Sequence, residues 1–487
     1  MTTSLTAFPK AASPESASPE TTASSTETEI QSVLAAASRA ADRLRDSAGA
    51  DRAGWLRAIG CALEAARAEL VVLAARETRL PAAALEVELS RTVFQLEHFA
   101  RAAESGAGLD IVVEGADPDY PVAPRPGLVR ADRPVGPVLV FTASNFPFAF
   151  SVAGNDTASA LAAGCPVIVK ANPGHLALSA RTASVVAAAL DRAGAPAGSF
   201  GHLVGVAAGT AALTDPRVKA CGFTGSLAGG RALFDIASGR PDPIPFYGEL
   251  GSLNPVFVTP AAAAARGAEI GAGFAASVTG RAGQLCTKPG VLFAPAGSAV
   301  PAAATGAVGD AGPAALLTDR IAGAYEAGIG ALAALPGARV LTGGASTAPT
   351  LVAVPGERLL ASGIHLEECF GPAAVVVEYD DPAQLTDFAR QLGANLTATV
   401  HGEPDDDVAA ALVPLLADRA GRLIWNGWPT GVSVTRALHH GGPYPATTAP
   451  GFTSIGADAM RRWLRPVTYQ NWPVELLPAP VRAALEG

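Results

Sequence analysis

Pro137 to Asn172 reads PVLVFTASNFPFAFSVAGNDTASALAAGCPVIVKAN. It holds two short apolar runs, Val138–Phe141 and Val167–Val169, with a stretch between them that predicts a helix near 151–163. Runs this short and this continuously apolar fit strands buried on both faces. The rhythm carries on outward with a helix near 175–193, strands near 201–206 and Lys219–Phe223, and a helix beginning near Leu227. Strands alternating with helices predict a parallel sheet covered on both faces, and such sheets bind ligands at the carboxyl ends of their strands.

A second alternation follows Glu249, with strands expected at Val256–Val258, Val291–Phe293, Leu351–Val354, Ala374–Val377, Thr397–Val400 and Leu423–Trp425. The fold class is therefore α/β, with two α/β domains built on parallel sheets. Upstream, Ile30, Val33, Leu34, Ala37, Ala41 and Leu44 recur at helical spacing, and a helical region extends to about residue 104. Residues 1–27 mix Ser, Thr, Pro, Glu and Ala with almost no large apolar side chains, which predicts a disordered tail. Two Pro-bearing excursions, 111–133 and 464–480, leave the globular pattern and are expected to pair as a small oligomerisation sheet. The resulting division is 28–110 with 134–250 for one domain and 251–460 for the other.

The chain has 487 residues, too many for a single core. Apolar residues make up 49% and charged residues only 16%. No apolar run reaches the roughly 18 residues of a spanning helix, and no basic-then-apolar leader opens the chain. The expected setting is cytoplasmic, with no membrane partner. A net charge of −9 argues against nucleic-acid binding. Five scattered cysteines, with no CxxC and no histidine at ligand spacing, predict free thiols and no metal site.

Two GxGxxA matches, Gly271–Ala276 and Gly328–Ala333, follow no strand and read as helix-packing glycines. Phe223-Thr-Gly225-Ser226-Leu-Ala-Gly-Gly230 is better placed, at a strand end opening a helix, where backbone N–H groups can meet phosphate. Gly283-Gln-Leu-Cys286-Thr offers a nucleophile or a buried structural thiol. Glu249 lies in Gly248-Glu-Leu-Gly251, where a carboxylate serves as a base or as a plain cap. Asn145 lies in Ser144-Asn-Phe-Pro147, where it reads equally as a helix cap.

Taken in order, these segments resemble the aldehyde dehydrogenase superfamily. Asn145-Phe-Pro is similar to its N-F-P motif, Phe223-Thr-Gly-Ser226 with Gly230 to F-T-G-S-x-x-x-G, and Glu249-Leu-Gly to E-L-G. Gly283-Gln-Leu-Cys286 is similar to G-Q-x-C, and Glu367-Glu368-Cys369-Phe370-Gly371-Pro372 to E-E-x-F-G-P. The resemblance implies that Cys286 attacks an aldehyde, Asn145 stabilises the oxyanion and Glu249 activates water against the thioester. It implies cofactor contacts at Lys170, Asn172, Gly225, Ser226, Gly230, Glu368 and Phe370, and a homodimer or homotetramer.

Two departures stand out. Many members carry a Glu three residues after the cofactor-site lysine, whereas here the run is Lys170-Ala171-Asn172-Pro173. A 2′-phosphate then meets no carboxylate, so NADP is expected in preference to NAD. Many relatives also have a lysine nine residues after the N-F-P asparagine, where this chain has Gly154. Ser144–Thr157, Gly248–Pro255, Trp425–Val432, His440–Thr447 and Leu464–Pro473 resemble the 2,5-dioxovalerate (α-ketoglutaric semialdehyde) dehydrogenases, whose substrate is a small dicarboxylic semialdehyde. Long-chain fatty aldehyde oxidation, CoA-dependent acylation and a catalytically silent homologue are the alternatives. Arg281, five residues before Cys286, reads either as the cation for the distal carboxylate or as half of a structural ion pair. His439 and His440 read as solvated loop residues.

Overall fold

A computed structural model describes residues 24–344 and 347–486. Most of the expected N-terminal tail, residues 1–23, lies outside the described residues. Its last part is ordered: the Thr26 side chain caps the first helix in a reciprocal pair with Glu29.

Four helices come first: α1 (Glu27–Arg45), α2 (Gly49–Ala65), α3 (Arg67–Thr78) and α4 (Ala82–Glu104). The strands β1 (Val112–Glu114) and β2 (Leu128–Pro134) then leave the body. The chain re-enters with β3 (Val138–Phe141), α5 (Asn155–Ala163), β4 (Val167–Lys170), α6 (Leu176–Arg192) and β5 (Phe200–Leu203). It continues through α7 (Val206–Thr214), β6 (Ala220–Thr224), α8 (Leu227–Ser238) and β7 (Phe246–Glu249). These five strands form one parallel sheet in the order β5-β4-β3-β6-β7. Successive side chains point to opposite faces, so Val138 and Val140 pack in one cluster with α2, α4 and α6 while Leu139 and Phe141 pack in another with α1.

The second half holds β8 (Val256–Val258), α9 (Pro260–Thr279), β9 (Val291–Pro295), α10 (Ala299–Gly309), α11 (Asp319–Ala333) and β10 (Arg339–Thr342). The strands β11 (Thr350–Pro355), β12 (Ala373–Tyr379), β13 (Asn395–His401) and β14 (Ala420–Trp425) complete a seven-stranded sheet. Its order is β10-β11-β12-β9-β8-β13-β14, parallel except for β10. β10 escaped the sequence reading because it is a short, largely exposed edge strand with no continuous apolar run. The strand expected over 201–206 is shorter, because Gly205 turns the chain at φ +101° and Val206 already opens α7. β2 pairs antiparallel with both β1 and β15 (Leu464–Gln470), giving a separate three-stranded sheet.

Both GxGxxA matches fall inside helices. A Cβ on Gly271 would lie 2.5 Å from the Val300 carbonyl of α10, and one on Gly328 would lie 2.6 Å from Cys369 Sγ. These glycines permit close packing. Among the described residues no helix is long and apolar enough to cross a membrane, and no group of three metal-ligating side chains occurs.

Candidate active site

In the first sheet the strand order reverses at β3: β4 and β5 lie to one side, β6 and β7 to the other. Loops diverge at such a point and leave a crevice at the carboxyl ends. Asn145 follows β3, Lys170 ends β4, Gly225 and Ser226 follow β6, and Glu249 ends β7. The segments entering β8, β9 and β12 carry Gly251, Cys286 and Glu368. The site therefore lies where the carboxyl edge of one sheet meets the amino edge of the other.

The Asn145 loop is pinned from three sides. Ala143 N–H donates to the Phe150 carbonyl (3.0 Å), and His175 Nε2 lies 3.0 Å from the Ala143 carbonyl. The buried Glu88 carboxylate accepts from the N–H groups of Phe148 (2.9 Å) and Ala149 (3.2 Å). Asn145 Nδ2 then donates to the Gln284 carbonyl at 3.1 Å, joining this loop to the cysteine loop.

At the next strand end, Lys170 is buried and makes no hydrogen bond or ion pair among the described residues. Burial lowers its pKa to about 8. Asn172 spends its amide on the backbone, donating to the Thr142 carbonyl (2.8 Å) and accepting from Gly174 N–H (2.9 Å). Ser226 caps α8 by accepting from Gly229 N–H (3.3 Å), and Gly225 N–H donates to the Glu249 carbonyl (3.1 Å). Gly230 has to lack a side chain, since a Cβ there would lie 2.1 Å from Leu250 Cδ2.

The chain reaches Cys286 through a strained turn. Arg281, Ala282 and Gly283 have φ of +49°, +55° and +65°, a conformation that costs free energy in residues other than glycine. A Cβ on Gly283 would lie 2.2 Å from the Gly371 carbonyl, so this turn packs directly on the Glu368 loop. Beyond the turn, Asn254 Nδ2 donates to the carbonyls of Cys286 (2.8 Å) and Lys288 (3.0 Å). Cys286 lines a small cavity with Arg91, Phe146, Phe150, Val432 and His440. Burial pushes its thiol up to about 12, and the negative charges of Glu249 and Glu368 act in the same direction. Of the other cysteines, Cys61 is exposed and Cys165, Cys221 and Cys369 are buried away from this cavity.

Glu249 Oε2 is buried without a partner. Burial raises the pKa of this carboxyl well above the usual carboxylate range, against the pull of Arg462. Glu368 hangs over Gly251, where a Cβ would lie 2.8 Å from its Oε2. Burial holds it at about 7, while Lys288 lowers it. Lys288 itself is fully buried and bound to the carbonyls of Cys369 (3.0 Å) and Ala373 (2.7 Å). Phe370 sits half-buried in the same loop.

Three residues depart from the sequence reading or escaped it. His440 is not a solvated loop residue: it is 5% exposed, with Nε2 3.7 Å from Cys286 Sγ. Burial drives its pKa down to about 3, with Arg422, Arg91 and His439 pushing the same way, so the ring is neutral at pH 7. The fold brings it there across 154 residues, and the resemblance of the His440–Thr447 run gave the histidine itself no role. Arg281, open between two readings, forms the ion pair: its Nη2 lies 2.8 Å from Glu88, with the guanidinium 4.5 Å from the Phe146 ring. It is not on the cavity wall, whereas Arg91, one helical turn after Glu88, is. The Glu88–Arg91 spacing on a polar face of α4 was the available signal. A larger cavity, between α2 and β15 and lined by Arg52, Asp132 and Tyr469, holds none of these groups.

With the geometry in place, the comparisons give the class. The model of the aldehyde dehydrogenase family matches residues 10–444, and the chain belongs to that family of NAD(P)-dependent oxidoreductases. It is 44% identical over 459 residues to alpha-ketoglutaric semialdehyde dehydrogenase 2 of Azospirillum brasilense, covering 90% of this chain and 87% of that one. It is 38% identical over 461 residues to alpha-ketoglutaric semialdehyde dehydrogenase of Acinetobacter baylyi, covering 92% and 88%. Among solved structures, aldehyde dehydrogenase 21 of Physcomitrella patens superposes with a TM-score of 0.77 at 21% identity, covering 93% of this chain and 92% of that one.

Proposed function

We propose that the chain oxidises 2,5-dioxopentanoate to 2-oxoglutarate, with NADP as the preferred coenzyme and Cys286 as the nucleophile. The observation that carries this reading is Cys286 on a cavity wall beside His440, with Asn145 bound to the cysteine loop at the Gln284 carbonyl and the Glu249 charge acting on the thiol, on a chain 44% identical to a semialdehyde dehydrogenase.

The coenzyme site fits on two observations. Lys170 is a buried ammonium with no partner, suited to a phosphate, and the α8 N-terminus presents Gly225 and Ser226 to a pyrophosphate. Asn172 carries no charge and its amide is already engaged, so nothing at that position repels a 2′-phosphate. Glu368, with Phe370 beside it, is assigned to the nicotinamide ribose. When bound, the oxidised nicotinamide accepts the hydride and brings a positive charge that favours the Cys286 thiolate.

The chain's own groups do the remaining work. His440, whose Nε2 lies 3.7 Å from the thiol, relays the Cys286 proton towards solvent. The Sγ–C bond forms as the carbonyl π pair moves onto oxygen, and the Asn145 amide releases Gln284 to donate to that oxyanion. Each such donor contributes about 3–4 kcal/mol. After hydride loss the acyl group is a thioester. Glu249, once deprotonated, takes a proton from water as the water oxygen attacks, and Cys286 leaves as thiolate.

The test is NADP and NAD reduction with 2,5-dioxopentanoate, glutarate semialdehyde and a long-chain aldehyde, each with and without CoA. The expected result is highest kcat/KM for 2,5-dioxopentanoate with NADP and no stimulation by CoA. A tenfold preference for the long-chain aldehyde, a CoA requirement, or no turnover at all would each overturn it.

A further inference from the structure

The α4 helix turns Glu88, Arg91, Thr92 and Gln95 to the protein interior, the spacing of one helical face. Each has a partner except Arg91. Glu88 holds Arg281 and two backbone N–H groups. Thr92 donates to the Glu88 carbonyl at 2.9 Å, and Gln95 donates to Asn155 Oδ1 at 3.3 Å. Arg91 Nε and Nη2 are enclosed, and among the described residues its guanidinium makes no hydrogen bond or ion pair. It lies 5.7 Å from the Phe146 ring centre and 5.5 Å from that of Phe150, on the wall of the cavity that holds Cys286.

An arginine stays charged, and leaving its donors buried and unpaired is costly. A cost held at a substrate cavity is recovered when a ligand brings the matching anion, and a carboxylate accepts two parallel guanidinium N–H bonds. The other cations nearby are already engaged. Arg281 is neutralised by Glu88, and Arg422 gives Nη1 and Nη2 to the carbonyls of Gly431 (3.1 Å) and Pro429 (2.5 Å), which makes it a strut for the loop bordering the cavity. Apart from Arg91, Cys286, Thr287 and His440 the lining carries no polar side chain: Phe146, Phe150, Leu285, Gly431, Val432 and Ile455. An alkyl tail would leave the guanidinium buried and unpaired, whereas a short stem ending in a carboxylate would satisfy it.

We propose that Arg91, and not Arg281, receives the distal carboxylate of a dicarboxylic semialdehyde and sets the enzyme's preference for acid-tipped over uncharged aldehydes. This deepens the substrate reading above and rests on its substrate class.

The experiment measures kcat/KM for 2,5-dioxopentanoate, glutarate semialdehyde and hexanal on the full-length wild-type, R91M and R91K enzymes, with 2-oxoglutarate as a product inhibitor. In R91M the ratio of acid-tipped to hexanal kcat/KM falls about 10- to 150-fold, the equivalent of a charge-assisted hydrogen-bonded pair. The loss is carried mainly by KM, the 2-oxoglutarate inhibition constant rises in step, and R91K recovers part of both. An unchanged ratio in R91M, or an equal loss on all three aldehydes, overturns the proposal. If R91M does not fold, R91K alone decides by whether the ratio moves. If the wild type ignores 2,5-dioxopentanoate but favours glutarate semialdehyde through Arg91, the substrate identity falls and the role of Arg91 stands. If it favours 2,5-dioxopentanoate with a ratio that Arg91 does not control, the reverse holds.

Discussion

A thiol held near 12 by burial, with Glu249 and Glu368 facing it, is protonated throughout the physiological range. Its neighbours divide the work by their own protonation. His440 is neutral above about pH 3 and can pass a proton on without keeping it, whereas burial raises the Glu249 pKa and that carboxyl acts as a base only in its deprotonated form. Their replacements are therefore expected to fail differently. Glu249→Gln retains a burst of one reduced coenzyme per site but loses steady-state turnover by about 10²- to 10⁴-fold. His440→Ala loses the burst rate itself and slows alkylation of Cys286 by iodoacetamide. Because the Glu249 pKa is raised, wild-type deacylation accelerates as pH increases through it, and rapid-quench measurements on Glu249→Gln should find that limb gone. Lys170 titrates in the opposite sense. Its lowered pKa of about 8 removes the charge as pH rises, so NADP affinity in fluorescence titrations should weaken between pH 7 and 9. Lys170→Met should weaken NADP more than NAD and flatten that dependence. The motifs named Asn145, Glu249 and Cys286 in the sequence, whereas His440 lay in a run marked only by resemblance and given no role, and Arg91 carried no motif at all.

At the scale of elements, one helix organises the site from behind. Glu88 on α4 joins the Asn145 loop to the turn before Cys286, because its carboxylate binds Phe148 N–H, Ala149 N–H and Arg281 together. Burial raises its pKa despite those partners, so the ion pair depends on Arg281 staying in place. Removing one partner of a buried pair strands the other charge, at about 3–5 kcal/mol. Glu88→Gln is expected to lower the melting temperature and kcat/KM for every aldehyde tested, charged or not. A fall restricted to acid-tipped aldehydes would contradict this structural role. The elements themselves were largely legible: β8 matches its sequence range, and β9, β12 and β13 exceed theirs by a few residues at the ends. Such ends are set by pairing. β12 runs on to Tyr379 because Glu378 and Tyr379 find partners in Ala294 and Pro295 of β9, a fact outside its own sequence.

For the whole molecule, the three-stranded sheet is the feature with no role in the site. β2 and β15, more than 300 residues apart in the chain, pair over seven residues, and the surface around them leaves Val113, Trp472 and Leu476 more than half exposed. The homodimer or homotetramer expected from the sequence would cover this surface. Sedimentation of the wild type should give a dimer or tetramer, and the double variant V113D with W472R should sediment as a smaller species. A monomeric wild type would dismiss this surface as an interface.

The sequence by itself determined the α/β class, the run of strands and helices, and the family. These depend on local periodicity and on short motifs that a linear chain carries intact. The tertiary structure decided which side chains face the thiol. The sequence left Arg281 open between the cavity and an ion pair; burial of Glu88 draws it into the pair, and the helical repeat of α4 delivers Arg91 to the cavity wall instead. His440 meets Cys286 from 154 residues away. Contacts of this kind follow from how two sheets dock edge to edge, and docking is settled by the burial of the whole core.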